Sequence, residues 1–339
     1  MVNLPRYITH ADWGTNPNKR QVAVAQLAAG DHYQVVGLDR ARLGAEVHRD
    51  LRLGLGVRDT IPGQLLAGFD FPLGLPRAYA ARAGISEFCD FFFGLARGAA
   101  PDFARVATTP EEISIERPFY PARPGGTRQR HLFDALGLTR QQIRRRCDGR
   151  DAESLFWTLG SKQVGKAALA GWDYLLGVER PELRLWPFDG TLVDLLDGDC
   201  ATAVIAEVYP REFYQYFRTG PSATGRKTKR EDRLRWMPGL LEWSEHLKVT
   251  FEAEVRGRIA AGFSDGPIGE DEFDAIVGLL GMIAVVTGSL GSGEPAEDRA
   301  VHQVEGWILG RDAGSPPAAV GASVHLLADS SNPALPPFG

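Results

Sequence analysis

The apolar run from Ala275 to Leu290 constrains this chain more than any other stretch. It falls short of the roughly 20 apolar residues a bilayer span needs, and Gly278, Gly281 and Gly288 interrupt it. It therefore reads as a buried helix. Ile276, Leu279, Leu280 and Ile283 form a broad apolar surface of the kind that packs on a sheet. Directly before the run stand Glu270, Asp271, Glu272 and Asp274. Acids at a helix start favour the helix dipole, which is one explanation. A cation site is the other, and Asp274 lies deeper than a cap needs to. Asp271 and Asp274, at i and i+3, share one helical face.

The 44% hydrophobic content of the 339 residues suffices for a real core. The formal charge of −5 excludes a general attraction to nucleic acid or acidic membranes, so any basic surface is local. Cys89, Cys147 and Cys200 lie far apart without metal-ligand spacing, and the N-terminus lacks a signal-peptide core. These features point to a cytoplasmic protein with no membrane segment.

Three early segments read as strands joined by short turns: "RYITHADWG", "RQVAVAQLAAG" and "DHYQVVGLD". A helical stretch over "ARLGAEVHRDLRLGLG" follows, then a buried strand, "GQLLAGFDFPLG". A long section at about 76–199, expected to be a mostly helical insertion, leads to another buried strand, "CATAVIAEVYP". Helical residues from about Pro238 to Ala261 precede the acidic run. The order implies an α/β fold: an antiparallel meander followed by strands parallel to the first, as in ribonuclease H-like mixed sheets flanked by helices. One domain is expected over 1–310, with a Pro- and Ser-rich tail at 311–339.

Each buried strand carries one carboxylate where its apolar run ends: Asp12, Asp70 and Glu207. An ionised acid in such a place is costly unless paired or bound to a cation. With Asp271 and Asp274 they form a candidate catalytic and metal-binding set. Carboxylate oxygens suit Mg²⁺ or Mn²⁺, and two such ions about 4 Å apart activate water for phosphodiester cleavage. Turn formation with Gly14 and Asn16 is the structural alternative for Asp12, a turn before "FPLGLP" for Asp70, and pairing with Arg211 for Glu207.

In order along the chain, "HADWG", "GFDFPLGLP", "AEVYPREFY", "DEFDAIVGLL" and "VEGWILG" resemble motifs of the domain-of-unknown-function family numbered 429. That family is described as predicted ribonuclease H-like nucleases. The resemblance spans about residues 7–310. It implies Asp12 as the first-strand acid, Asp70 as the fourth-strand acid, Glu207 at the end of the next strand, and Asp271 with Asp274 on the late helix. The roughly 135 residues between Asp70 and Glu207 exceed a minimal core of this kind.

Two basic clusters are candidates for phosphate contact in a nucleic acid or nucleotide-containing substrate. One holds Arg140, Arg144, Arg145, Arg146 and Arg150; the other holds Arg226, Lys227, Lys229, Arg230, Arg233 and Arg235. Solvated helix faces are their ordinary alternative. Lys162, Gln163 and Lys166, between Trp157 and Trp172, could hydrogen-bond a nucleotide or sugar. His10 and His302 show no ligand spacing. Two further readings stay open. "DWGT" looks like the first phosphate loop of sugar-kinase and actin-like ATPases, and a noncatalytic binding protein would keep the acids as structural residues.

Overall fold

The computed structural model describes residues 3–41, 51–57, 64–149, 152–159, 164–178, 183–197 and 203–314. Lys162, Gln163, Arg150, Cys200, most of the expected tail and the first part of the expected early helix lie outside these residues. In chain order the elements are β1 Tyr7–Asp12, β2 Gln21–Ala28, β3 His32–Arg40, α1 Leu51–Gly54, β4 Leu65–Phe69, α2 Arg77–Ala83, α3 Phe88–Ala96 and α4 Gln129–Leu136. They continue with α5 Val164–Leu176, β5 Leu183–Leu185, α6 Leu192–Leu196, β6 Ala203–Glu207, α7 Arg230–His246, β7 Thr250–Phe251, α8 Ala253–Ala260 and α9 Gly266–Val286.

The strands form one seven-stranded mixed sheet in the order β5-β6-β4-β1-β2-β3-β7. β1, β2 and β3 are an antiparallel meander, and β4 runs parallel to β1, with β6 parallel to β4. The α/β class and the mixed sheet therefore agree with the sequence reading. The section expected to be mostly helical also supplies β5, three residues that extend the parallel edge beside β6. The helix expected from Pro238 begins instead at Arg230 and holds Pro238 in its middle. Proline removes one backbone donor there, while the buried face of Arg233, Trp236, Met237, Leu240 and Trp243 keeps the helix packed. The chain then breaks at Lys248, with φ 55°, before β7 and α8.

Side chains alternate across the sheet, so parity sorts residues into two layers. Tyr7, Ala11, Leu65, Ala67, Phe69, Ala203 and Ile205 face the layer built from α2–α5. Ile8, Leu66, Val204, Ala206 and Val208 face α7–α9. In β3 a bulge opposite Val24 and Ala25 adds one residue, which puts Leu38 on the same face as Tyr33 and Val35.

Helix α9 is buried along nearly its whole length from Gly269 onward and lies against β1, β2 and β4. Glycines set how closely it approaches. A Cβ at Gly278 would overlap the His10 imidazole of β1, and one at Gly281 would overlap the Phe213 ring. From the sheet side, a Cβ at Gly68 would collide with the Met282 thioether. Glycine costs a helix about 1 kcal/mol relative to alanine, and here that cost accompanies close packing on the strand that carries Asp12. We expect Gly278→Ala to destabilise the protein by about 1–3 kcal/mol through overpacking, measured by urea unfolding, because a wholly buried imidazole blocks relaxation.

Candidate active site

Strand register brings the first two acids together. Ala11 of β1 pairs with Phe69 of β4, and Asp12 and Asp70 each come one residue later. By parity both side chains turn to the α9 face. The Asp70 Oδ1 accepts the Trp13 backbone N–H at 2.6 Å. The Asp12 carboxyl is in hydrogen-bond contact with the carboxyls of both Asp70 and Asp271. Asp12, Asp70, Glu270 and Asp271 keep part of their surface open to solvent, whereas Asp274 is buried.

The structure answers why acids precede the apolar run. Helix α9 starts at Gly266, after Asp265, with Pro267 in its first turn and no acid there. Glu270, Asp271 and Asp274 therefore lie beyond the first turn, where the helix dipole has lost most of its effect. Glu272 has a structural task. It accepts the Ser264 N–H at 2.8 Å and the Ser264 hydroxyl at 2.9 Å, and it pairs with Arg258, which fixes the loop between α8 and α9. The other acids face the sheet rim with Asp12 and Asp70.

One cation stands among them. The Lys227 ammonium pairs with Asp274 and lies 3.2 Å from Glu270. The Tyr214 hydroxyl donates to the other Asp274 oxygen at 2.5 Å. The Lys227 backbone is held as well. Its carbonyl accepts from Arg233, and the neighbouring Arg226 N–H donates to Asp232 at 2.7 Å. Arg233, wholly buried, also donates to the Gly262 and Ser264 carbonyls at 3.0 and 2.6 Å, in the loop that opens α9.

The electrostatics show crowding. Burial, then the neighbouring Asp70 and Asp274 charges, push the Asp12 carboxyl well above the usual range. Burial also raises Asp70, against the opposing hydrogen bonds from Asp12 and Trp13. Burial lifts Asp271 from 3.8 to about 6, although contact with Asp12 and the Lys227 charge oppose it. For Lys227 burial works against the charge, but Asp274, Asp12 and Glu270 outweigh it and hold the ammonium above its ordinary range. Opposed shifts of this kind mark functional sites more often than chance.

Glu207 does not join this group. It shares parity with Ile205 and so faces the other layer, where the buried Arg145 grips both its oxygens at 2.6 and 2.7 Å. The Leu73 N–H donates to it at 2.8 Å, and Arg145 also binds Asp148. Its partner is Arg145, not Arg211. Two members of the first basic cluster thereby have structural partners: Arg145 is buried against Glu207, and Arg146 pairs with Asp298. We expect Glu207→Ala to cost about 3 kcal/mol of stability by leaving a buried guanidinium short of its partner, with divalent-ion binding retained, by thermal unfolding and calorimetry.

Among the other candidates, Lys166 lies on α5, in the layer opposite the acids. Arg226 and Lys229 are exposed, and Arg230 binds the Ala261 carbonyl at 2.9 Å and Asp265 at 3.3 Å. Of the second cluster, Lys227 forms the ion pairs with Glu270 and Asp274. His302 lies 3.4 Å from the Pro187 carbonyl. His10 is wholly buried beneath the rim, and burial lowers it to about 3, so it is neutral. Sequence reasoning missed Tyr214, which sits in the quoted "AEVYPREFY" motif but gave no spacing signal. Two surface hollows of about 390 and 370 Å³, beside Lys248 and beside Val24, include none of these acids.

No protein-family model, curated protein or solved structure matches this chain. Its chemistry is therefore read from the site itself. The donors present are hard carboxylate oxygens, and the Lys227 ammonium already occupies a cation position among them, which fits Mg²⁺ or Mn²⁺. Among the described residues no group of three or more His, Cys, Asp or Glu side chains encloses a metal position as it stands. The acids touch one another instead, so a cation would enter by replacing acid–acid contacts.

The crowding has a stability consequence. A carboxyl raised in the folded state holds its proton more tightly there, so its contribution is fully present below the unfolded pKa and is lost as pH rises through the folded one. For Asp271 that window runs from 3.8 to about 6. We expect Asp271→Asn to be more stable than wild type at pH 8, by on the order of 1 kcal/mol after allowance for solvent screening. The gain should fade between pH 6 and pH 4 in thermal melts.

Proposed function

We propose that the protein is a divalent-metal-dependent phosphodiesterase on a ribonuclease H-like scaffold, acting on nucleic acid or a nucleotide-containing substrate. The observation that carries this reading is the convergence of Asp12, Asp70 and Asp271 on one face of the rim, with Asp12 in contact with both others and all three raised by burial. The fold supports it: an antiparallel β1–β3 meander with β4 and β6 added in parallel is the arrangement of that scaffold. The resemblance of the five ordered motifs to a predicted nuclease family points the same way.

Asp12, Asp70 and Asp271 would hold the ion. When bound, it would supply Lewis acidity and lower the pKa of a coordinated water. The chain's own groups do the positioning. The Trp13 N–H holds one Asp70 oxygen and so limits rotation of that carboxyl beside Asp12. Tyr214 and Lys227 occupy the two Asp274 oxygens, so Asp274 anchors the lysine. Lys227 then presents positive charge where a phosphate would sit. Packing of α9 on β1 keeps Asp271 within reach of Asp12, which no local segment could achieve.

The test is hydrolysis of single- and double-stranded DNA and RNA, and of bis(p-nitrophenyl) phosphate, with and without Mn²⁺. We expect Mn²⁺-dependent cleavage that Asp12→Asn/Asp70→Asn reduces about 100-fold or more while the fold survives. Cleavage unaffected by that double variant would refute the assignment, as would its absence for every substrate in Mn²⁺. ATP-dependent phosphotransfer without cleavage would point to the kinase-like reading instead.

A further inference from the structure

The sequence alone suggests a site for two divalent ions, with all the acids as ligands. The geometry divides those acids into two groups. Asp12 touches Asp70 and Asp271; among the described residues Lys227 reaches these three through its charge alone. Asp274 and Glu270 hold Lys227 between them, and Asp274 has its second oxygen taken by Tyr214. A second metal ion at Asp274 would have to displace an ammonium that several contacts hold in place.

Those contacts are unusually complete for a surface lysine. The Arg233 fork clamps the Lys227 carbonyl, and its other donors tie the same arginine to Gly262 and Ser264 just before α9. Asp232, in the first turn of α7, holds the adjoining Arg226 N–H. The backbone that carries the lysine and the backbone that starts the acidic helix therefore share one buried anchor. A flexible lysine screening an acidic patch needs none of this.

We propose that Lys227 is the built-in second cation of the site. The cluster takes one divalent ion, at Asp12, Asp70 and Asp271, and the lysine stands where a second would otherwise bind. This rests on the metal-dependent reading above and replaces its two-ion form with one ion plus one ammonium. An ammonium carries a single charge and up to three hydrogen-bond donors. It can therefore neutralise Asp274 and Glu270 and still present a donor to a non-bridging phosphate oxygen.

The experiment is a count of Mn²⁺ sites on the full chain by isothermal calorimetry, with free Mn²⁺ followed by electron paramagnetic resonance. Wild type, Lys227→Met and Lys227→Arg are compared, with circular dichroism to confirm folding. We expect one Mn²⁺ per wild-type chain, two per Lys227→Met chain, and one again in Lys227→Arg. Two ions on wild type would overturn the proposal and leave the metal-dependent hydrolase standing; this needs no variant to fold. One ion on a folded Lys227→Met chain, at unchanged affinity, would also overturn it. No binding to wild type at millimolar Mn²⁺ would remove both this inference and the reading it rests on.

Discussion

The site depends on how closely α9 approaches β1. Acids near the start of a helix and acids at strand ends come from distant parts of a chain, and only tertiary packing can bring them into contact. Here the contact requires a helix face with no side chain at Gly278, where the His10 ring fits, and a strand position with none at Gly68, where Met282 fits. The neutral state of His10 belongs to the same arrangement, since a charged imidazole between helix and sheet would be costly. Apolar packing supplies the driving force, and the carboxylates are carried along against their own repulsion.

That repulsion makes the rim a place where stability is given up. Burial and like charge raise Asp12, Asp70 and Asp271 together, while one lysine pairs with Asp274 and Glu270 and opposes only part of the rise at Asp70 and Asp271. The opposite layer handles its buried charges differently. Glu207 and Asp148 both pair with Arg145, with the Leu73 N–H and carbonyl completing the set. The two faces of the sheet rim thus differ: two carboxylates share a buried guanidinium on one side, while on the other five carboxylates stand around a single ammonium. The second side has room in its charge balance for a further cation.

Much of this was legible in the sequence. The meander, the buried strands carrying Asp12 and Asp70, and the late helix with Asp271 and Asp274 all followed from periodicity and from acids in apolar surroundings. Glu207 was misplaced because strand parity depends on register with β4, which one sequence does not reveal. The first turn of α9 is written in Asp265, Gly266 and Pro267, which spell a helix start ahead of the denser acidic run. β5 and β7 are too short to show a period. Nothing distinguished Lys227 from Arg226 or Lys229, because its role comes from the fold of the loop around it.

The position of Asp271 and Asp274 near the start of α9 bears on how the protein opens. Local unfolding normally costs free energy in proportion to the packing it breaks. Separating the first turns of α9 from the rim would relieve the crowding of Asp12, Asp70 and Asp271, so electrostatics favour opening there. Arg233 and Glu272 hold that end down through Ser264. The acidic end of α9 is accordingly the end from which the ligand-free helix would fray. Any ligand that bound only the closed form would stitch it shut and, by mass action, slow amide exchange there first.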